Sequence, residues 1–313
     1  MQILTVTLNP ALDIGTTVPL VEPGPKLRCS APRVDPGGGG LNVARAVGLL
    51  GGQATAFVAL GGPTGDRLLK LLADHGVPTL AFPAPGDTRE SLTVTETGTG
   101  RQYRFVLPGT AWDAARVARV EQAIPAVAPP GGWVVLSGSQ APGLPEDFAA
   151  RLRRALPAAT RLLADTSGAP LRRLVAEPAG LDVLRMDDAE AEDLARRPLP
   201  DRAASAAFAA DLVARGVANC VILARGAEGS VLADRDGTRL FAPAAPVPVV
   251  SKVGAGDSFV AGYVLTRARG GDQADALSTG VAAASAAVMT KGTELCRPDD
   301  VARLRPLCQA KAI

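Results

Sequence analysis

The sequence predicts an α/β fold: a mostly parallel sheet with helices on both faces, joined to a second, smaller sheet. Three observations predict it. Short β-rich runs alternate along the 313 residues with longer stretches of helical periodicity. Two segments interrupt that alternation with period-two patterns of their own. The ends of the apolar runs carry an unusually polar set of residues, as expected where ligands meet the carboxyl edge of a parallel sheet.

In chain order, Gln2–Leu8 is the first predicted strand. It begins without a basic leader, an apolar stretch and a cleavage site in sequence, so the chain reads as cytoplasmic. Ile14 to Val34 is extended, and Pro36 to Arg45 is a run of four glycines opening a helix. Thr55–Leu60 is the second strand of the main sheet; the helix after it ends near His75 and Gly76. Arg89 to Leu107 reads as a hairpin of Ser91–Glu96 and Gln102–Val106 around Thr97 to Gly100. With Ile14–Val34 it could form the small sheet, which needs a surface to bury against, either the main domain or a second subunit. Trp133–Ser137, Arg161–Asp165, Leu181–Arg185 and Cys220–Ala224 continue the parallel sheet, ending on Ser137-Gly138-Ser139, Asp165, Arg185–Asp188 and Gly226. A further hairpin pairs Ser230–Ala233 with Arg239–Ala242. The alanine-rich run from Gly280 to Met289 is too short for a membrane span. The predicted division is an α/β domain of residues 1–12, 36–88 and 108–313, with a small-sheet lid from 13–35 and 89–107.

Composition excludes several functions. The net charge is +2 and the arginines are scattered, so a nucleic-acid partner is not expected. Cys29, Cys220, Cys296 and Cys308 form no CxxC pair, which points to small apolar packing in a reduced compartment. His75 is the sole histidine. Histidine triads and multi-histidine metal sites are therefore excluded, and chemistry must rest on carboxylates, cations, backbone amides and bound metal.

The sharpest local pattern is Val253-Gly-Ala-Gly-Asp-Ser-Phe-Val-Ala-Gly262 at the start of a helical run. First-turn amides beside small residues can approach an anion, and Asp257 could take a proton from a hydroxyl attacking a phosphoryl group. An N-capping aspartate after a glycine turn explains the same residues. In the earlier cluster, Gly37 to Gly40 permit close approach of backbone to a ligand, and Asn42 with Arg45 could contact sugar hydroxyls and phosphate; a flexible turn is the alternative. No GxxxxGK[ST] loop or GxGxxG fingerprint occurs. Lys26, Arg28, Arg89 and Arg104 lie in or beside the small sheet, where they could close on a phosphorylated substrate or be solvated surface charges.

Taken in order, Asn9–Asp13, Lys26–Cys29, Pro36–Ala46, Gln102–Val106, Ser137–Ser139, Gly254–Asp257 and Gly292–Cys296 make the chain similar to the ribokinase-like PfkB family of phosphosugar kinases, from Leu4 to about Pro306. The resemblance implies a Rossmann-like α/β domain, a β-lid that packs against its twin in a homodimer, and a reaction using ATP and Mg²⁺. The implied substrate is a phosphorylated ketohexose, with fructose 6-phosphate converted to fructose 1,6-bisphosphate, because the four-glycine form favours the 6-phosphofructokinase type. Enzymes acting on fructose 1-phosphate or tagatose 6-phosphate are the alternative; a degenerate sugar-phosphate-binding protein is another. By likeness, Asp13, Gly38, Gly39, Asn42 and Ser139 hold the sugar. Lys26, Arg89 and Arg104 surround its phosphate. Asp257 is the base, and Gly254, Ala255 and Gly256 form the anion hole. Ala224, Gly226, Gly229 and Ser285 line the nucleotide, and Ser251, Val253, Ala287 and Gly292 are expected near a monovalent cation such as K⁺. One departure stands out: the family's Lys-Pro-Asn-x-x-Glu reads Arg185-Met-Asp-Asp-Ala-Glu190. Glu190, which orders Mg²⁺ water in the family, is retained. Arg185 keeps a cation, and Asp187 places a carboxylate where it would repel a triphosphate.

Overall fold

The structure, a computed structural model, describes residues 2–313. In chain order its elements are β1 (Ile3–Thr7), β2 (Ala11–Val18), β3 (Arg33–Gly37), α1 (Gly39–Leu49), β4 (Ala54–Leu60), α2 (Gly62–Asp74), β5 (Thr79–Pro83), β6 (Arg89–Glu96) and β7 (Gln102–Val106). There follow α3 (Ala114–Val127), β8 (Trp133–Ser137), α4 (Phe148–Ala155), β9 (Arg161–Asp165), α5 (Gly168–Ala176), β10 (Leu181–Met186), α6 (Asp188–Ala195), α7 (Arg202–Ala214) and β11 (Ala218–Ala224). The chain ends with β12 (Gly229–Asp234), β13 (Arg239–Pro243), α8 (Ala255–Ala268), α9 (Gln273–Ala287), α10 (Pro298–Leu304) and β14 (Lys311–Ala312).

The large sheet runs β14-β13-β12-β11-β10-β9-β8-β1-β4-β5. Its pairings from β11 through β5 are parallel, and the β12, β13 and β14 edge is antiparallel. Alternation of side chains assigns each strand to two cores at once. Trp133 and Val135 face the layer of α1, α2, α8 and α9, whereas Val134 and Leu136 face the layer of α3 to α7. The expected two-faced α/β architecture is present. Two elements were not legible in advance: β5, whose short TLAFP run is exposed on three of five residues, and the two-residue β14.

The small sheet is β3-β2-β6-β7, with β2 and β6 parallel and the outer pairs antiparallel. The long extended piece expected over Ile14–Val34 is not continuous, because the stretch 19–32 between β2 and β3 carries no strand and is almost wholly exposed. Cys29 lies on that stretch and is exposed, unlike the three other cysteines, which are buried as expected; all four are free thiols. Glu96 fastens the lid tip, accepting from Val21 N at 2.9 Å, Tyr103 Oη at 3.1 Å and the Thr99 hydroxyl. His75 is the C-cap of α2, as its position before a glycine implied. No described helix is long and apolar enough to cross a membrane.

The glycines before α1 are required by the protein itself. A Cβ on Gly37 would collide with the Asp13 carboxylate, on Gly39 with Ser137 Oγ, and on Gly40 with Thr7 Oγ1 and the Val6 carbonyl. Gly38, with φ of 129°, turns the chain into α1. These glycines therefore press β3 and α1 onto the carboxyl ends of β1 and β8, and the reading of the cluster as a flexible turn is set aside. Gly40→Ala should lower the unfolding free energy by about 1–3 kcal/mol, the usual cost of forcing extra volume into a packed core. Denaturant unfolding of the purified variant checks this; a midpoint equal to the parent's would mean the β1–α1 contact relaxes freely.

Candidate active site

A cavity of about 940 Å³ lies between the lid and the carboxyl edge of the large sheet. The lid contributes Asp13, Arg89 and Arg104; the start of α1 contributes Gly38 and Asn42; the turn into α8 contributes Gly254 and Asp257. Ser251, Val253 and Gly292 lie on the same wall. Lys26 does not. It sits on the exposed 19–32 stretch, outside the cavity of a single chain.

Asp257 is the third residue of α8, whose N-cap is Gly254 at φ 76°. Its carboxylate accepts from Asn42 Nδ2 at 2.9 Å, so the capping reading fails. Gly254 packs against Leu295, itself held at φ 64° with its carbonyl accepting from Thr290 Oγ1 at 3.1 Å. A side chain in the left-handed region is uncommon and is sustained here by full burial. Ala255 N turns back to Lys252 O at 3.4 Å, so the first-turn amides left without a partner are those of Gly256 and Asp257. Gly254 N has no partner among the described residues either, so of the expected Gly254–Gly256 amides only that of Ala255 is engaged.

Burial raises the Asp257 pKa to about 7; Asp165 and Asp13 push it further up, and the Asn42 hydrogen bond and Arg185 oppose them. Burial likewise raises Asp13 to about 6, against the pull of Arg89 and Arg104. Arg89 is oriented by Asn9 O at 3.2 Å and Leu107 O at 3.3 Å. Arg45, expected to reach a ligand, turns inward and is 8% exposed.

Arg185 lies at the end of β10 and pairs with Asp165 at the end of β9, Nη1 to Oδ1 3.1 Å. A Cβ on Gly256 would come within 3.1 Å of Arg185 Nη1, so the guanidinium lies against the first turn of α8. Its Nε has no partner among the described residues. Asp187 has a local task that the sequence reading missed. It is the N-cap of α6 in a capping box: Asp187 Oδ1 accepts from Glu190 N at 2.9 Å, and Glu190 Oε2 accepts from Asp187 N at 2.8 Å. An aspartate in place of asparagine there caps α6 equally well.

The remaining expected residues are dispersed. Ser139 Oγ accepts from Asn9 Nδ2 at 3.2 Å, and Gly39 rests on Ser137. Ser285 Oγ accepts from Ala245 N at 3.2 Å inside the fold. Ala224 ends β11; Gly226 begins the turn to β12, and Gly229 packs on the Ala242 carbonyl. The Ala287 carbonyl already accepts from Thr290 N at 3.1 Å and Thr290 Oγ1 at 2.8 Å. Lys252 and Lys291, missed by the sequence reading, line the cavity without an ion-pair partner among the described residues.

These donors fit a polyphosphate: two free amides at a helix N-terminus, a guanidinium against the same turn, and two free ammonium groups. The described residues contain no cluster of three or more metal-ligating side chains. A divalent metal held mainly by nucleotide phosphates and water, with Glu190 as one contact, would need no such cluster.

The two raised carboxyl groups make stability depend on pH with a definite sign. Below the unfolded value of 3.8 both states hold these protons; above it the folded state binds more, so the stabilisation is lost as pH rises through about 6 and 7. Asp257→Asn should therefore be more stable than the parent at pH 8, with the difference shrinking toward pH 4. Chemical unfolding at both pH values measures it, and an equal difference at each would contradict the desolvated carboxylate.

A family model for "pfkB family carbohydrate kinase" matches residues 10–300. The chain is 40% identical over 306 residues to the ATP-dependent 6-phosphofructokinase isozyme 2 of Mycobacterium tuberculosis, covering 96% of this chain and 88% of that one. It is 37% identical over 265 residues to the 1-phosphofructokinase of Xanthomonas campestris, covering 84% and 83%. Phosphofructokinase-2 from Escherichia coli in complex with fructose-6-phosphate superposes with a TM-score of 0.90 at 35% identity, over 98% of this chain and 99% of that one; structures of that protein with potassium and in a tetrameric inhibited form also match. With a cavity that joins lid cations to a buried carboxylate at an open helix N-terminus, and this likeness along nearly its whole length, the chain belongs to the pfkB family of carbohydrate kinases and is an ATP-dependent sugar phosphotransferase.

Proposed function

We propose that the protein phosphorylates fructose 6-phosphate to fructose 1,6-bisphosphate. The observation that carries this reading is the single cavity in which Arg89 and Arg104 of the lid face Asp257 and the open amides of α8. A free sugar would leave the two guanidinium groups unused, whereas an existing phosphate gives each a charge-assisted contact. The other end of the sugar then meets the base. Asp13, beside Arg89, and Asn42 hold its hydroxyls, with the Gly38 backbone on the same wall.

Asp257, with a pKa of about 7, accepts the proton of the attacking hydroxyl near neutral pH. The amides of Gly256 and Asp257, with Arg185 beside them, bear the charge that develops on the transferred group. Mg²⁺ supplies further charge neutralisation when it enters with ATP. Lys252 and Lys291 are suited to the nucleotide's phosphates. A monovalent cation such as K⁺ is proposed only at Ser251, Val253 and Gly292, since both lone pairs of the Ala287 carbonyl are engaged. Lys26 is left out of the phosphate set. We also propose a homodimer through the lid, on whose β7 Phe105 and Val106 are 52% and 63% exposed, and a cytoplasmic setting, with which four free thiols agree.

A coupled assay with ATP and Mg²⁺ across fructose 6-phosphate, fructose 1-phosphate, tagatose 6-phosphate and the free sugars tests the reading. Fructose 6-phosphate should give the highest kcat/KM; a preference for fructose 1-phosphate would move the protein to the 1-phosphofructokinase type. Arg89→Ala should raise KM for the sugar phosphate at least about tenfold, equivalent to ~1.4 kcal/mol, and unchanged kinetics would remove Arg89 from the site. Asp257→Asn should retain both ligands while kcat falls about 10²–10⁴-fold. Near-parental turnover in that folded variant would sink the assignment of the base.

A further inference from the structure

We infer that Arg45 is a positioning residue for the reaction, fixing the Asn42 carboxamide so that its Nδ2 donor, and not its Oδ1 acceptor, faces Asp257. This rests on the reading of Asp257 as the base and extends it to a residue that touches neither substrate nor reacting atoms. Arg45 Nη1 donates to Asn42 Oδ1 at 3.3 Å and to Pro36 O at 3.5 Å, and Nη2 donates to Thr293 O at 3.3 Å. The three acceptors belong to the end of β3, the first turns of α1 and the loop before α10. The guanidinium is thereby held from three sides.

Chemistry then dictates the amide's orientation. Arginine has five donors and no acceptor, so the Asn42 atom facing it must be the oxygen. The carboxamide is planar, and with Oδ1 turned to Arg45 the NH₂ group is delivered to Asp257 Oδ2 at 2.9 Å. Without that constraint the amide can reverse. Oδ1 would then face a carboxylate oxygen, an arrangement that is favourable only when Asp257 carries a proton. A protonated Asp257 cannot accept the substrate's proton.

The other charged groups around Asp257 make the Asn42 donor matter. Asp165 from the end of β9 and Asp13 from β2 favour the protonated form, as does burial; Arg185 from β10, and Arg45 itself by charge, favour the carboxylate. Asn42 is the one group hydrogen-bonded to Asp257 among the described residues. Its orientation therefore decides whether a direct contact supports or opposes the charge.

The test is the pH dependence of kcat/KM for fructose 6-phosphate in the full chain, comparing the parent with Arg45→Lys, Arg45→Met and Arg45→Gln. Arg45→Met should move the midpoint of the acid limb up by about one pH unit, lowering kcat/KM about tenfold below it and recovering to within about threefold of the parent at pH 9. Arg45→Lys remains a donor-only cation and should stay within about half a unit of the parent; it keeps the comparison usable should the methionine variant not fold, because a Lys variant that shifts as far as a neutral Arg45→Gln variant overturns the inference. A role in stability alone lowers the rate by one factor at all pH values with the limb unmoved, which also overturns it. In an Asn42→Ala background Arg45→Met should add little further shift; a full shift there would mean that Arg45 acts by charge and not through the amide. If Asp257→Asn abolishes turnover while the acid limb ignores Arg45, this inference alone fails; if Asp257→Asn turns over normally, the reading of the base fails first.

Discussion

As the proposed base, the carboxylate of Asp257 must be out of bulk water to work on a phosphoryl transfer, yet ionised to accept a proton, and much of the surrounding structure bears on that conflict. Desolvation and two neighbouring carboxylates raise its pKa to about 7. That value is useful, since a base titrating near the working pH combines adequate basicity with adequate population of the charged form. It is held there by opposing contacts from three elements: Asn42 on α1, Arg185 on β10 and the dipole of α8 itself. Displacing any of these elements would shift the charge of Asp257 as well as its position.

Those elements converge because glycine lets them. Gly37 makes room for the Asp13 carboxylate, Gly39 and Gly40 let α1 lie on the ends of β8 and β1, and Gly254 accepts Leu295 beneath the turn into α8. Side chains at these positions would collide with those neighbours and force β3, α1 or α8 to shift. The same economy continues behind the site. Gly262 and Gly280 let α8 and α9 approach backbone to side chain, which fixes the direction from which α8 aims its first turn.

The β-rich runs and the glycine-opened helices were legible because a parallel sheet buried on both faces leaves near-continuous apolar strands and polar strand ends. The lid was legible as period-two segments, although its connection across 19–32 was not, since an exposed stretch without strand partners has no periodicity to betray it. In the site, Asp257, Asn42, Asp13, Arg89 and Arg104 could be named, because their motifs bind them to particular neighbours. What could not be named were tasks set by tertiary contacts. Arg45 looks like a ligand-facing cation until its three acceptors are seen, two of them outside α1. Asp187 looks like a charge aimed at a triphosphate until its capping box with Glu190 is seen, although the Asp-x-x-Glu spacing before a helix was a signal that could have been used. Lys252 and Lys291 lie in unremarkable sequence, and only the packing of their two loops, joined by Val250 N to Val288 O at 2.7 Å, brings both to one wall.

That wall bears on the departure at 185–188. A lysine exchanged for Arg185 would be a point charge free to follow a phosphate, whereas the guanidinium here is committed on one side to Asp165 and lies flat against Gly256. Its positive field is partly cancelled by the partner that orients it. In the proposed nucleotide site, Lys252 and Lys291, which have no ion-pair partner among the described residues, are suited to supply what the pair withholds, and they are two of only five lysines in the chain. Asp187, meanwhile, directs its carboxylate to the α6 amides, so its charge is partly satisfied by the helix dipole before any phosphate arrives. On the proposed function, the nucleotide half of the site would keep its electrostatic balance with different residues: oriented charge from Arg185, unpaired charge from Lys252 and Lys291, and an acidic cap turned toward α6.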